Sequence, residues 1–116
     1  MTLRSLLRRV SFVIVLAALI SSAGQAAAVA PSRPHTHTVV IDATRFQPEK
    51  LTVKAGDTIV WVNKDLFPHT ATASNSTFNS QVIAAGASWK YVAKKKGAFA
   101  YTCVFHPTMK AALLVR

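Results

Sequence analysis

The sequence has 116 residues, a formal net charge of +10 and a single cysteine. That length suits one domain, and one cysteine excludes an internal disulfide. With 51% hydrophobic and 16% charged residues, the chain is too apolar to be disordered.

The chain opens with Arg4, Arg8 and Arg9, an apolar run from Phe12 to Ile20, and the small-residue stretch SSAGQAAAVA. A positive start, a short apolar region and an Ala-x-Ala site predict a secretory signal peptide over residues 1–28, cleaved after Ala28 or, as the nearby alternative, after Ala26. The competing reading is a retained anchor from Val10 to Ala30, against which the purely apolar stretch is short of the roughly 20 residues that span a bilayer. Cleavage of 28 residues leaves 88 of the 116 and removes three arginines and no acid, so the net charge falls from +10 to +7. The expected location is therefore periplasmic or otherwise exported. Nucleic acid is excluded as a partner, since export separates the two and no recognition motif occurs. A membrane is excluded unless the signal segment is retained. So small a domain often needs a staple such as a disulfide or a metal; no disulfide can form within it, whereas a metal can serve.

Residues 29–36 (VAPSRPHT) read as an extended leader, and 37–116 as the folded domain. Within it, short runs of strand character alternate with turn signals. The expected strands are Thr38 to Ala43, Lys50 to Lys54, Thr58 to Asn63, His69 to Ala73, Gln81 to Ala84, Ser88 to Ala93, Ala98 to Cys103 and Ala111 to Val115. In Thr58 to Asn63, Ile59 and Trp61 oppose Val60 and Val62; in Ala98 to Cys103, Phe99, Tyr101 and Cys103 share one face. No run shows sustained helical spacing. About eight short strands predict an all-β fold, an antiparallel sandwich or barrel. Trp61, Trp89, Tyr91, Phe99 and Tyr101, at strand spacing, are expected in the core.

The chemistry is concentrated in Cys103-Val104-Phe105-His106-Pro107-Thr108-Met109, a Cys-x2-His-x2-Met pattern directly after a strand. Thiolate and thioether are soft ligands and imidazole is borderline. Two histidines and a cysteine with a weak axial methionine make up the blue-copper electron-transfer site, so a second histidine is required. His69, where a loop meets a strand, is the better candidate; His35 and His37 lie in the leader. Zinc could use the same donors, but three firm ligands plus a thioether suit copper better.

The stretches GDTIVWVNKDLFPHT (56–70) and GAFAYTCVFHPTM (97–109), with the closing strand, resemble the cupredoxins, in particular their amicyanin and plastocyanin type. The resemblance covers nearly all of residues 37–116. It implies an eight-stranded Greek-key β-sandwich with copper at one pole. His69, Cys103 and His106 would be the strong ligands and Met109 the axial one. It also implies that the His106 edge reaches the surface through an apolar patch to which Phe105 and Pro107 contribute.

Two positions depart from the family pattern. Phe105 stands where proline commonly precedes the second histidine, so its free amide is expected to bond the Cys103 sulfur and raise the reduction potential. Thr70 follows the first histidine where asparagine is usual: its amide can still serve Cys103, but the side-chain brace between the two loops is open to question.

The function expected is an exported type-1 copper protein shuttling one electron between redox partner proteins. It would be a monomer and not an enzyme. The alternative is a copper-binding or copper-delivery protein using the same cage. Lys94-Lys95-Lys96 is either a solvated turn or a docking patch for an acidic redox partner. His35 and His37 are either solvated leader or a second metal site.

Overall fold

The computed structural model describes residues 17, 18 and 20–116. The arginines and most of the apolar run of the expected export signal lie outside the described residues. Residues 20–30 carry no strand or helix and are exposed. No helix among the described residues is long and apolar enough to cross a membrane.

Residues 31–116 form a separate unit containing eight strands: β1 Thr36–Asp42, β2 Arg45–Gln47, β3 Lys50–Val53, β4 Thr58–Asn63, β5 Thr72–Ala73, β6 Ser88–Val92, β7 Gly97–Thr102 and β8 Lys110–Val115. They make two four-stranded sheets, ordered β2-β1-β4-β6 and β3-β8-β7-β5. The expected all-β sandwich of about eight strands is present, but its sheets are mixed rather than antiparallel. β1 runs parallel to β4, with Val39 opposite Trp61, and β3 runs parallel to β8. The cause is the crossover: the chain leaves the first sheet after β2, crosses as β3, and returns as β4 beside β1 in the same direction. Parallel neighbours require such a connection, whereas hairpins give antiparallel ones.

Three elements differ from expectation, the first being the strand expected over His69 to Ala73, of which only β5 Thr72–Ala73 forms while His69 makes an isolated bridge. Gln81 to Ala84 is not a strand; Gln81 adopts φ 57°, which breaks an extended run, and Ile83 makes only an isolated bridge with His69. β2, absent from the expectation, is reached through a two-residue turn in which Ala43 and Thr44 have φ 49° and 57°. Such turns normally advertise themselves by Asn or Gly. Here the Asp65 carboxylate stabilises it instead, accepting the Ala43 and Thr44 amides at 2.8 and 2.9 Å.

The core follows from the alternation. Ile59, Trp61, Phe99, Tyr101 and Cys103 all point inward and are buried with Val39, Ile41, Phe46 and Leu113, while Trp89 and Tyr91 pack half-buried against them. Trp61 meets Tyr101 edge-on at 5.6 Å. Burial pushes the Tyr101 hydroxyl up to about 12, opposed by the nearby indole; the pair falls short of a hydrogen bond, because Trp61 Nε1 has no partner.

Strand directions give the sandwich two unlike ends. At one end lie the turn 54–57, the turn 93–96, Arg116 and the incoming residues 31–35, joined by bonds such as Gly56 N to Ala93 O and Ala55 N to Arg116 O. At the other lie the loops 64–71 and 103–109. Asp57 ties the first end together. Its carboxylate accepts the His35 amide at 2.9 Å, His37 Nε2 at 2.9 Å and the Lys54 amide at 3.0 Å. These bonds, the His35 amide foremost, hold its carboxyl far below the ordinary value of 3.8. A depressed carboxyl stabilises the fold above its unfolded value and loses that contribution as pH falls toward the folded one. Thermal unfolding followed by circular dichroism should therefore show a midpoint falling below about pH 4. Asp57→Asn should start from a lower midpoint and show a shallower fall over the same acid range.

Candidate metal centre

Cys103 stands immediately after β7, continuing its inward-facing alternation, and is fully buried. The loop that follows is wound tightly by its own backbone: His106 N donates to Cys103 O at 3.3 Å, Met109 N to His106 O at 2.8 Å, and Cys103 N to Met109 O at 3.3 Å. The last bond closes the loop and starts β8. His69 comes from the other side, held by reciprocal bonds with Ile83: its amide to Ile83 O at 3.1 Å and the Ile83 amide to its carbonyl at 2.7 Å.

These two loops bring a ligand atom each from His69, Cys103 and His106 to within 4.8 Å of one another. His69 Nδ1 lies 3.7 Å from Cys103 Sγ, and the two imidazole centroids are 5.2 Å apart. Met109 is buried and bonded through its backbone at the mouth of the same loop. His35 and His37 lie at the opposite end of the sandwich, beside a cavity of about 260 Å³ also lined by Asp57 and Arg116. The chemistry is thus not where the cavity is.

The donors fit a soft or borderline metal on three counts. Thiolate plus two imidazoles is the strong-ligand set of type-1 copper. His106 Nδ1 is buried without a hydrogen-bond partner, a cost that a metal ion relieves. His69 Nε2 donates to Asp65 Oδ2 at 2.8 Å; a carboxylate can only accept, so Nε2 carries the proton and Nδ1 keeps its lone pair facing the sulfur.

Asp65 is the functional residue that the sequence reading missed. Its oxygens take the Ala43 amide, the Thr44 amide and the His69 ring, so one side chain fixes both the β1–β2 turn and the orientation of a donor. The Thr44 amide is the largest of the influences that lower its carboxyl, with His69 adding to it. The signal was present as Asp-x3-His in DLFPH, but a carboxylate four residues from a histidine acquires meaning only when the loop geometry is known. Loss of such an outer partner usually costs about 10–100-fold in metal affinity. Asp65→Ala should show a loss of that size in a copper titration against a competing chelator.

The two departures resolve differently. Thr70 serves the site fully: its amide donates to Cys103 Sγ at 3.3 Å, and its hydroxyl accepts the Val104 amide at 3.0 Å. A threonine thus supplies the brace between the loops. The expected Phe105 amide bond to sulfur is not formed; the backbone bond on Sγ comes from Thr70, and the loop winding is carried by the His106 amide one residue later. Lys94–Lys96 lies at the end away from the donors, about 20 Å off by the length of the six-residue β4. A partner gripped there would not touch His106.

Comparison with known proteins agrees with this geometry. Residues 11–115 match the family described as the cupredoxin-like domain. Amicyanin of Paracoccus versutus is 24% identical over 82 residues, covering 66% of this chain and 62% of that protein. Plastocyanin of Scenedesmus fuscus is 40% identical over 43 residues, 37% of this chain and 39% of its own. The matches thus span less than two thirds of either relative. A purple cupredoxin from Nitrosopumilus maritimus superposes with a TM-score of 0.63 at 26% identity, covering 69% of this chain and 99% of that one. An amicyanin variant solved in its Cu(I) state gives 0.65 at 22% identity, covering 70% and 82%. The chain belongs to the cupredoxin-like domain family.

Proposed function

We propose that this protein is an exported one-electron carrier that binds a single copper ion through His69, Cys103 and His106, with Met109 as the weak axial ligand. The observation that carries this reading is the convergence of one buried thiol and two imidazoles, one of which has a buried nitrogen without a partner. Bound copper supplies the Cu(I)/Cu(II) exchange. The chain's own residues supply rigidity and access. Asp65 orients His69, Thr70 ties the His69 loop to the Cys103 loop, and the closed 103–109 loop limits how far the donors can move when charge changes. His106 is the partly exposed donor, so electrons would pass through its edge. The loops that carry the donors expose Leu66, Phe67, Val104 and Phe105, each at least half accessible; such an apolar rim suits brief docking by redox partner proteins. The role is therefore electron transfer, not enzymatic turnover. In the same reading residues 1–28 direct export and are removed, 29–36 are leader, and 37–116 are the working domain, monomeric in solution.

The alternative of copper delivery uses the same donors and differs in behaviour. Purified protein loaded with copper should show the intense visible absorption of thiolate-to-copper charge transfer. It should also keep its metal through repeated reduction and reoxidation in the presence of a chelator. A colourless product would overturn the copper-site reading. Colour with copper surrendered on reduction would replace the carrier by a delivery protein.

A further inference from the structure

The positive charge of the domain is not spread evenly. Arg33, Lys54, Lys94, Lys95, Lys96 and Arg116 all lie at or beside the end opposite the donor cluster, and all are exposed. The single acidic side chain there, Asp57, is buried and already bonded to His35, His37 and Lys54. None of the six cations makes an ion pair among the described residues. The donor end is nearly balanced, its lysines and Arg45 offset by Asp42, Glu49 and Asp65. The molecule therefore has a strongly basic end and a nearly neutral, apolar-rimmed one.

We propose that the basic end rests on an anionic lipid surface and holds the donor end away from it, toward soluble partners. The occupant is a bilayer and not an acidic protein because the basic end carries charge without apolar anchors. Specific protein interfaces are centred on buried apolar or aromatic anchors, and the basic end offers only Val92 among the exposed large hydrophobics, whereas the donor loops offer Leu66, Phe67, Val104 and Phe105. A bilayer of anionic headgroups reads clustered lysine and arginine without such anchors.

The test uses the full chain and needs no metal. Sedimentation with vesicles of equal parts phosphatidylcholine and phosphatidylglycerol is compared with vesicles of phosphatidylcholine alone, so that binding through the apolar run is common to both. Binding is expected to be stronger on the anionic vesicles, with the excess lost in high salt. Lys94→Gln, Lys95→Gln and Lys96→Gln together should weaken that excess on the order of 100-fold. Lys64→Gln with Lys110→Gln, at the donor end, should leave it close to unchanged, and circular dichroism of each variant checks that the fold is retained. Equal binding to both vesicles, an equal loss from the donor-end pair, or binding to polyglutamate without binding to anionic vesicles would each overturn the proposal.

Discussion

Cys103→Ala is expected to abolish the visible absorption of the copper-loaded protein completely, because the band depends on a thiolate and the chain has no other cysteine. Copper affinity should fall by more than the roughly 10–100-fold that follows loss of an outer partner, since a strong ligand itself is removed. The same substitution has a second, separable effect on the metal-free protein. Cys103 Sγ accepts the buried Thr70 amide at 3.3 Å, and an orphaned buried donor costs about 1–3 kcal/mol. Cys103→Ser separates the two effects. A hydroxyl can still accept from Thr70, so the metal-free serine variant should unfold closer to wild type than the alanine variant, while being equally colourless. Absorption that survives either substitution would show that copper is held elsewhere. Equal stability of the two variants would show that the Thr70–sulfur bond adds nothing in the absence of metal.

What could be read from the sequence, and what could not, divides along a physical line. β4 is legible to the residue because the β-branched and aromatic run Ile59–Val62 is flanked by Thr58 and Asn63 and bounded by Gly56-Asp57 and Lys64. β2 was not, since its turn is stabilised by Asp65, about twenty residues away, and not by the local residues Ala43 and Thr44. Parallel pairing was hidden for the same reason: alternation reports which face is buried, not which strand lies alongside. The donor set shows the contrast within a single site. Cys103, His106 and Met109 are spaced by one loop and could be read from the pattern and the family resemblance. His69 needed the fold to be brought across, and Asp65 needed the rotamer of His69. The Phe105 amide makes no bond to the sulfur; the loop winds through the His106 amide to Cys103 O instead, a choice of hydrogen-bond register that residue identity does not reveal.

Trp61→Ala is expected to be the most destabilising single change in the core. Trp61 is fully buried, with ring centroids 5.5 Å from Phe78, 5.4 Å from Trp89 and 5.6 Å from Tyr101. It therefore joins the first sheet to β7 across the sandwich and supports the half-buried Trp89 from within. Truncating a buried tryptophan costs about 3–5 kcal/mol, against a total of about 5–15 kcal/mol for a typical domain. In a domain of this size each kcal/mol lowers the midpoint by about 4–8 °C, so thermal unfolding should begin tens of degrees earlier. Trp61→Phe should cost much less than its lost area suggests. The indole Nε1 is buried without a partner, and phenylalanine removes that unsatisfied donor along with the second ring. Chemical denaturation of the metal-free proteins measures both. The consequence reaches the metal centre through Tyr101, which packs on Trp61 and lies two residues before Cys103 on the same face of β7. With that support gone, the thiol end of the strand should lose its fixed position before the histidines do. The alanine variant should accordingly bind copper less tightly even where it remains folded, while the phenylalanine variant keeps its affinity. Near-wild-type stability of Trp61→Ala would mean that the sheets are joined by the aliphatic contacts of Val39, Ile41 and Leu113, and that the aromatic cluster fills space without organising the site.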